Sequence, residues 1–266
     1  MYRFPLLSSV VVFPALVLMA FPVVAAPVSV DSSSVREVVD EDVRFGVGVT
    51  TSVNQRPFLG VGSQQDSLPY FSFRFGRVAM EGLDFTVDLF TPEQQTLALI
   101  VTPRFYEVKA SFADGGELIG IDETNDTWFA GLNYRVHLGE YHVVASALKD
   151  VGGESAGTEI TMTVNRPYRF GRFALVPSAG LIWQDKKLVE HFYGVDQQEA
   201  QLGRPVYGDQ SSLNYQVSAT ALWQVHRNWQ VLAAFKAEQL GGGIADSPII
   251  EDDQINSALL GFVYRF

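Results

Sequence analysis

The sequence predicts an all-β fold: a transmembrane, antiparallel, up-and-down β-barrel of about twelve strands, with ten as the alternative count. Three observations carry that expectation. The chain ends on an alternating aromatic strand, several upstream runs alternate for longer than soluble strands do, and the N-terminus reads as an export signal.

In the closing run, residues 254–266, Phe266, Tyr264, Phe262, Leu260 and Ala258 fall on one face and Arg265, Gly261 and Ser257 on the other. A strand in an outer-membrane barrel needs such a face, because its outer side meets lipid and its aromatic residues collect at the interfaces. Taken alone, the run also fits an edge or core strand of a soluble sandwich. Residues 211–226 argue against that. Leu213, Tyr215, Val217, Ala219, Ala221, Trp223 and Val225 alternate with Asn214, Gln216, Ser218, Thr220, Gln224 and His226. That period of two outlasts the usual globular strand of about 5–6 residues, and a tilted spanning strand needs roughly 9–11.

The pattern resumes after Arg227-Asn228, with Trp229, Val231, Ala233, Phe235 and Ala237 on one face and Gln230, Lys236 and Glu238 on the other. That is a long hairpin with a two-residue turn. Residues 127–138 join 141–151 through Gly139-Glu140, and 158–170 join 173–185 through Gly171-Arg172 in the same way. Tight turns at one end and longer polar connections at the other (52–67, 113–126, 152–157, 186–210 and 241–253) match short periplasmic turns and long exterior loops. The first third holds strands over 43–51, 68–75 and 83–90. Pro103 interrupts the stretch 96–112, and because proline removes a ladder donor the stretch is split there into two strands. That split gives the even count.

Residues 1–25 read as a cleaved signal peptide: Arg3, an apolar stretch through Met19, then Val23 and Ala25 as small residues before the cut. Residues 26–42 are polar and acidic (Asp31, Glu37, Asp40, Glu41 and Asp42) and read as a flexible periplasmic segment, with a lumen plug as the alternative. Residues 43–266 are assigned to the barrel. The chain has no cysteine, which excludes disulfides, thiolate metal sites, thiol catalysis and an acylated lipoprotein anchor. A net charge of −11 argues against nucleic acid as a partner, since phosphate neutralisation needs a basic stripe.

No catalytic, cofactor or metal site is expected. His137 and His142 flank a turn, and His226 ends its strand beside another, so all three suit a solvated rim. His142 is followed by Val143-Val144-Ala145, which lacks the His-x-Ser-Asn-Gly signature of barrel phospholipases. His191 lies near Glu190 and Asp196, an unspecific pairing. The acidic runs Glu251-Asp252-Asp253 and Asp122-Glu123 lack calcium-loop spacing, and Gly241-Gly242-Gly243 reads as a flexible loop rather than a phosphate cradle.

One stretch is more specific. His191-Phe192-Tyr193-Gly194-Val195, then Glu199-Ala200, then Pro205-Val206-Tyr207, resembles the Tyr-Tyr-Gly-Val, Glu-Ala and Tyr elements of the MipA/OmpV family of outer-membrane proteins, with Phe192 in place of the first tyrosine. Asp246-Ser247-Pro248-Ile249-Ile250 is similar to that family's Ser-Pro-Ile/Val element. Gly261-Phe262-Val263-Tyr264-Arg265-Phe266 is similar to its Gly-x-x-Tyr-x-Phe ending. The resemblance implies a barrel in the outer-membrane lipid of a Gram-negative cell, inserted by the barrel-assembly machinery that reads Phe262, Tyr264 and Phe266. It also implies a scaffold role, because the family's namesake is held to link a murein-degrading transglycosylase to a murein-synthesising penicillin-binding protein. Periplasmic murein enzymes are therefore the expected partners. The rival expectation is a narrow porin-like channel, since the inward positions are polar. The motif residues Phe192, Tyr193, Gly194, Val195, Glu199, Ala200, Tyr207, Ser247 and Pro248 serve either structure or interaction.

Overall fold

A computed structural model describes residues 45–266. The expected signal peptide and the acidic segment after it lie outside the described residues. Alternation of apolar and polar side chains produces the strands β1 (Phe45–Asn54), β2 (Gln64–Phe75), β3 (Val78–Gly82), β4 (Asp84–Phe90), β5 (Gln95–Arg104), β6 (Thr127–Leu138) and β7 (Tyr141–Asp150). The series continues with β8 (Thr158–Asn165), β9 (Tyr168–Phe170), β10 (Phe173–Gln184), β11 (Ser212–His226), β12 (Trp229–Gln239) and β13 (Gln254–Arg265). Apart from β8 and β9, consecutive strands pair antiparallel, and β1 pairs with β13 from Gly46↔Arg265 to Asn54↔Ser257, which closes the ring. β8 and β9 both pair with β10 on either side of Arg166-Pro167 and together form one stave, so the barrel has twelve.

The count matches the expectation, but one strand is not where the sequence put it. β5 runs straight through Pro103, which pairs with Trp128. Residues 106–112 form no strand. Val108 makes an isolated bridge to Thr124, and Ala110–Phe112 is a 3-10 turn. The missing stave is β3, five residues that pair with β2 and β4.

Outward positions are exposed as a lipid-facing wall requires: Leu213, Tyr215, Val217, Trp223 and Val225 on β11, and Leu260 and Phe262 on β13. Phe45, Tyr264, Trp229 and Phe266 cluster at the end that carries the tight turns, where the Phe266 N–H donates to the Phe45 carbonyl at 2.9 Å. The turns at Gly139 and Gly171 have φ of 66° and 61°, a left-handed geometry that glycine adopts without strain. The opposite end carries the long loops and two helices, α1 (Lys186–Tyr193) and α2 (Gly242–Ala245). The glycine run 241–243, expected to be a flexible loop, instead opens a helix, with Gly241 as its N-cap and Gly242 and Gly243 in its first turn. A Cβ on Gly243 would lie 2.1 Å from the Ser211 carbonyl, so the missing side chain lets α2 seat on the start of β11.

A capped and charge-lined lumen as the candidate functional site

The long loops fold inward and build an apolar core over the barrel mouth. Phe58, Val108, Leu118, Phe129, Leu148, Leu188, Val189, Phe192, Tyr193, Val195, Leu240, Ile244 and Ile249 are all buried in it. Local sequence explains the main piece. Asp185 caps α1 by accepting from Leu188 N at 3.0 Å, and the helix then buries Leu188, Val189, Phe192 and Tyr193 on one face. The motif residues meet here. Phe192 lies 4.8 Å from the Tyr106 ring, and Tyr193 stacks on Phe58 at 5.8 Å. Gly194 ends the helix where a Cβ would lie 2.2 Å from the Glu190 carbonyl. Val195 bridges Tyr207, whose hydroxyl donates toward the Gly242 and Gly243 carbonyls. Glu199 accepts from the N–H groups of Asp196 and Asp122, both at 2.6 Å, and Ala200 packs against the core. Ser247, followed by Pro248, donates from its buried hydroxyl to the Tyr193 carbonyl at 2.6 Å.

Arg204 ties the cap together. It is buried and donates to the carbonyls of Glu117, Ile119 and Glu199. Nothing in its local sequence marks it. A charged residue becomes a hub only when its own loop and a distant one both present carbonyls to it.

Below the cap the lumen is polar and paired. Arg104 donates to Glu159 at 2.7 Å, the Tyr106 hydroxyl donates to the same carboxylate at 2.8 Å, and Gln184 Nε2 donates to that hydroxyl at 2.9 Å. Lys236 and Asn214 both donate to Glu238, and Arg135 and Arg74 flank Asp88. A cavity of about 260 Å³ lies in this belt, bordered by Arg56, Asp84, Arg104, Tyr106, Glu159, Gln184, Tyr193 and Lys236. Burial, and then the negative Glu159, push the Tyr106 phenol well above its ordinary range, and burial raises Tyr193 as well. Burial pulls the Arg56 guanidinium down, with Asp66 opposing.

Toward the tight-turn end a second apolar cluster packs inside the barrel, with Tyr70, Ala174, Val176, Leu222, Leu232, Leu259 and Val263 all buried. These inward aliphatics are easily missed in a sequence read for polar lumen residues. Beneath them Arg265 donates to Gln230 at 2.9 Å and to Ser72 at 3.3 Å, while Ser72 and Tyr70 donate to Glu81.

The histidines take no part in a constellation. His137 and His142 face each other across a turn, ring centres 4.4 Å apart, and His191 on α1 stands 3.5 Å from Glu154. The acidic loop residues are engaged locally: Glu251 accepts from Gly60 N and Asp252 from Gln55. Among the described residues no three His, Asp or Glu side chains gather to hold a metal ion.

The family described as MltA-interacting protein MipA matches residues 45–266, which covers the whole barrel and its cap. The chain belongs to that family. The chain is 24% identical over 223 residues to the putative outer membrane protein YiaT of Escherichia coli K12, covering 84% of this chain and 91% of the relative. It is 22% identical over 227 residues to the MltA-interacting protein of the same strain, covering 84% and 90%. It is 27% identical over 142 residues to the outer membrane protein OmpV of Vibrio cholerae, covering 53% and 54%. These relatives are named as outer-membrane or interaction proteins and not as enzymes. Among solved structures, OprD of Pseudomonas aeruginosa overlays with a TM-score of 0.34 at 8% identity, covering 82% of this chain and 65% of its own, too slight a likeness to carry an argument. The chain is an outer-membrane β-barrel.

Proposed function

We propose that this protein is a non-enzymatic, non-conducting barrel that works as an interaction scaffold, with its partner docking at the periplasmic end. The observation that carries this reading is the obstructed lumen: an apolar cap above, an apolar cluster below, and paired charges between. A barrel packed in this way offers its rims for work, not its bore. The two rims differ in charge. The tight-turn end presents Arg77, Arg166, Arg169, Arg172 and Arg227 against Glu93 and Glu140. Arg166 pairs with Glu140 and lies over the rings of Tyr141 and Tyr168 at 5.5 and 4.9 Å. A basic rim with exposed aromatics suits an acidic protein surface. The name of the MltA-interacting relative supports a murein enzyme as that partner; a second, murein-synthesising enzyme as the other arm of the scaffold rests on the family resemblance alone. Phe262, Tyr264 and Phe266 would serve insertion by the assembly machinery.

The test has two arms. Purified protein in a planar bilayer is expected to give no steady conductance, and regular ion steps would replace the scaffold with the narrow channel. A periplasmic pull-down is expected to recover a murein enzyme in a salt-sensitive way. Charge reversal of Arg169, Arg172 and Arg227 should abolish that recovery while leaving barrel assembly intact. Unchanged recovery from the reversed rim would remove the docking surface named here.

A further inference from the structure

The barrel wall has a low sector. β3 and β4 meet through Leu83, and their hairpin stops short of the outer rim. β2 pairs with β3 only from Phe71 to Phe75, so its outer half, from Gln64 to Tyr70, has β1 on one side and no strand on the other. Across the gap β5 pairs with β4 only as far as Val101, and Thr102, Pro103 and Arg104 pair with β6 alone. Proline within sheets is confined to edges, bulges and strand starts, and Pro69 and Pro103 stand on the two unpaired stretches. At about 3.3 Å per residue, the bare edge of β2 runs for roughly 20 Å and that of β5 for roughly 10 Å. Trp128 faces outward opposite Pro103 and is half exposed, which puts the outer aromatic belt at the level of the gap. The gap therefore faces the outer leaflet.

The lumen cavity reaches this gap. Asp84, Pro103, Phe105 and Arg56 belong to its lining. Arg56 spans the opening, with Nε donating to Gln64 at 3.0 Å and Nη1 to the Phe105 carbonyl at 3.3 Å. Its Nη2 is buried and has no hydrogen-bond partner among the described residues, although the side chain is only 8% exposed. The other lining cations are paired: Arg104 with Glu159, Lys236 with Glu238 and Arg135 with Asp88. Arg56 is acted on by the carboxylates of Asp66, Asp126 and Glu107 but makes no ion pair among the described residues, so it is the lining cation left to receive an anion. The Tyr193 hydroxyl, on the same cavity, makes no hydrogen bond among the described residues. A buried charged donor left unmet is costly, which favours a ligand or ordered water at that atom. With the cap above and the apolar cluster below, the low wall is the way in.

We propose that the cavity and the gap form a binding site for a single-chain amphiphile with an anionic head, of the fatty-acid type, that enters sideways from the outer leaflet. The carboxylate accepts from Arg56 Nη2 and from the Tyr193 hydroxyl. The acyl tail leaves over the β3–β4 hairpin past Leu83 into lipid. A cavity of about 260 Å³ holds the head and a few accompanying waters, one of which serves the unpartnered Gln184 Oε1.

The test uses the full barrel in lipid nanodiscs, with laurate, dodecanol and acetate as probes and native mass spectrometry as the readout. Assembly is checked separately by heat-modifiable gel migration. Laurate is expected to bind once per barrel. Arg56→Met should weaken it about tenfold or more, the loss of one charge-assisted hydrogen bond, and dodecanol should bind correspondingly worse than laurate. Leu83→Trp, which crowds the gap and leaves Arg56 in place, should also reduce laurate binding, and it decides the matter if Arg56→Met does not assemble. Three results overturn the proposal: no laurate bound, laurate binding indifferent to both variants, or acetate binding as well as laurate, which would make the site one for small polar solutes from water. None of these readouts involves a protein partner, so failure here leaves the scaffold reading untouched, and the reverse also holds.

Discussion

Replacing Phe192 with alanine separates the cap from the barrel. Its ring is 2% exposed and packs on Tyr106 at 4.8 Å, in a core contributed mainly by loops, with Ile100, Phe129 and Leu148 added from the outer ends of strands. Truncating a buried phenylalanine costs about 3–5 kcal/mol, transfer and cavity terms together. The strand ladders form a continuous hydrogen-bonded ring that does not pass through this ring, so the cost falls on closure of the cap rather than on global unfolding. At about 1.4 kcal/mol per factor of ten, the open fraction of the cap rises roughly 10²- to 4 × 10³-fold. Amide hydrogen exchange of the detergent-solubilised protein measures this directly. Protection in α1 and in Ser247–Ile250 should drop by that factor, while the central amides of β6, β7 and β11 keep theirs. Phe192→Leu, which retains most of the volume, should show a much smaller loss. Equal acceleration in the strands would refute the idea of a separately folding cap. No change in α1 would refute the packing argument itself.

Three further outcomes follow from buried contacts. Glu159→Leu strips Arg104 of its partner and should destabilise the barrel by about 3–5 kcal/mol, with the Arg104→Met/Glu159→Leu double variant recovering much of the loss in thermal melts. Tyr106 and Tyr193 have folded-state pKa values raised above the ordinary 10.0, so the stability they give is whole below pH 10 and is lost as pH rises above it. Ultraviolet titration should therefore show a late, cooperative phenolate step that coincides with cap opening, and Tyr106→Phe should shrink that step. Gly48 sits at the β1–β13 seam, where a Cβ would lie 2.2 Å from the Phe262 carbonyl; Gly48→Ala should cost roughly 1–3 kcal/mol and lower the yield of heat-modifiable barrel.

The fold was legible because period-two alternation is imposed by lipid on one side and lumen on the other, residue by residue. Long strands such as β11 repeat that constraint often enough to be unmistakable. β3 has five residues, Val78–Gly82, too few to establish a period, and it was missed. The stretch after Pro103 misled for the opposite reason. Tyr106, Val108, Ala110 and Phe112 do alternate, but Tyr106 and Val108 pack against a cap core assembled from distant loops, and a single stretch of sequence does not reveal its partners. The proline is expected to break the strand, yet β5 continues through it because only its β4 side lacks a neighbour there, so the missing ladder donor costs nothing. The motif residues were legible as a set, whereas their common place in the cap was not, since it depends on the closure that brings Tyr207 to Val195 and Ser247 to Tyr193. Arg56 left no local trace at all. An unpaired cation in a loop reads as solvated until the fold encloses it, and it is that enclosure, beside the β3–β4 hairpin that stops short of the rim, that turns an ordinary arginine into the lumen's available cation.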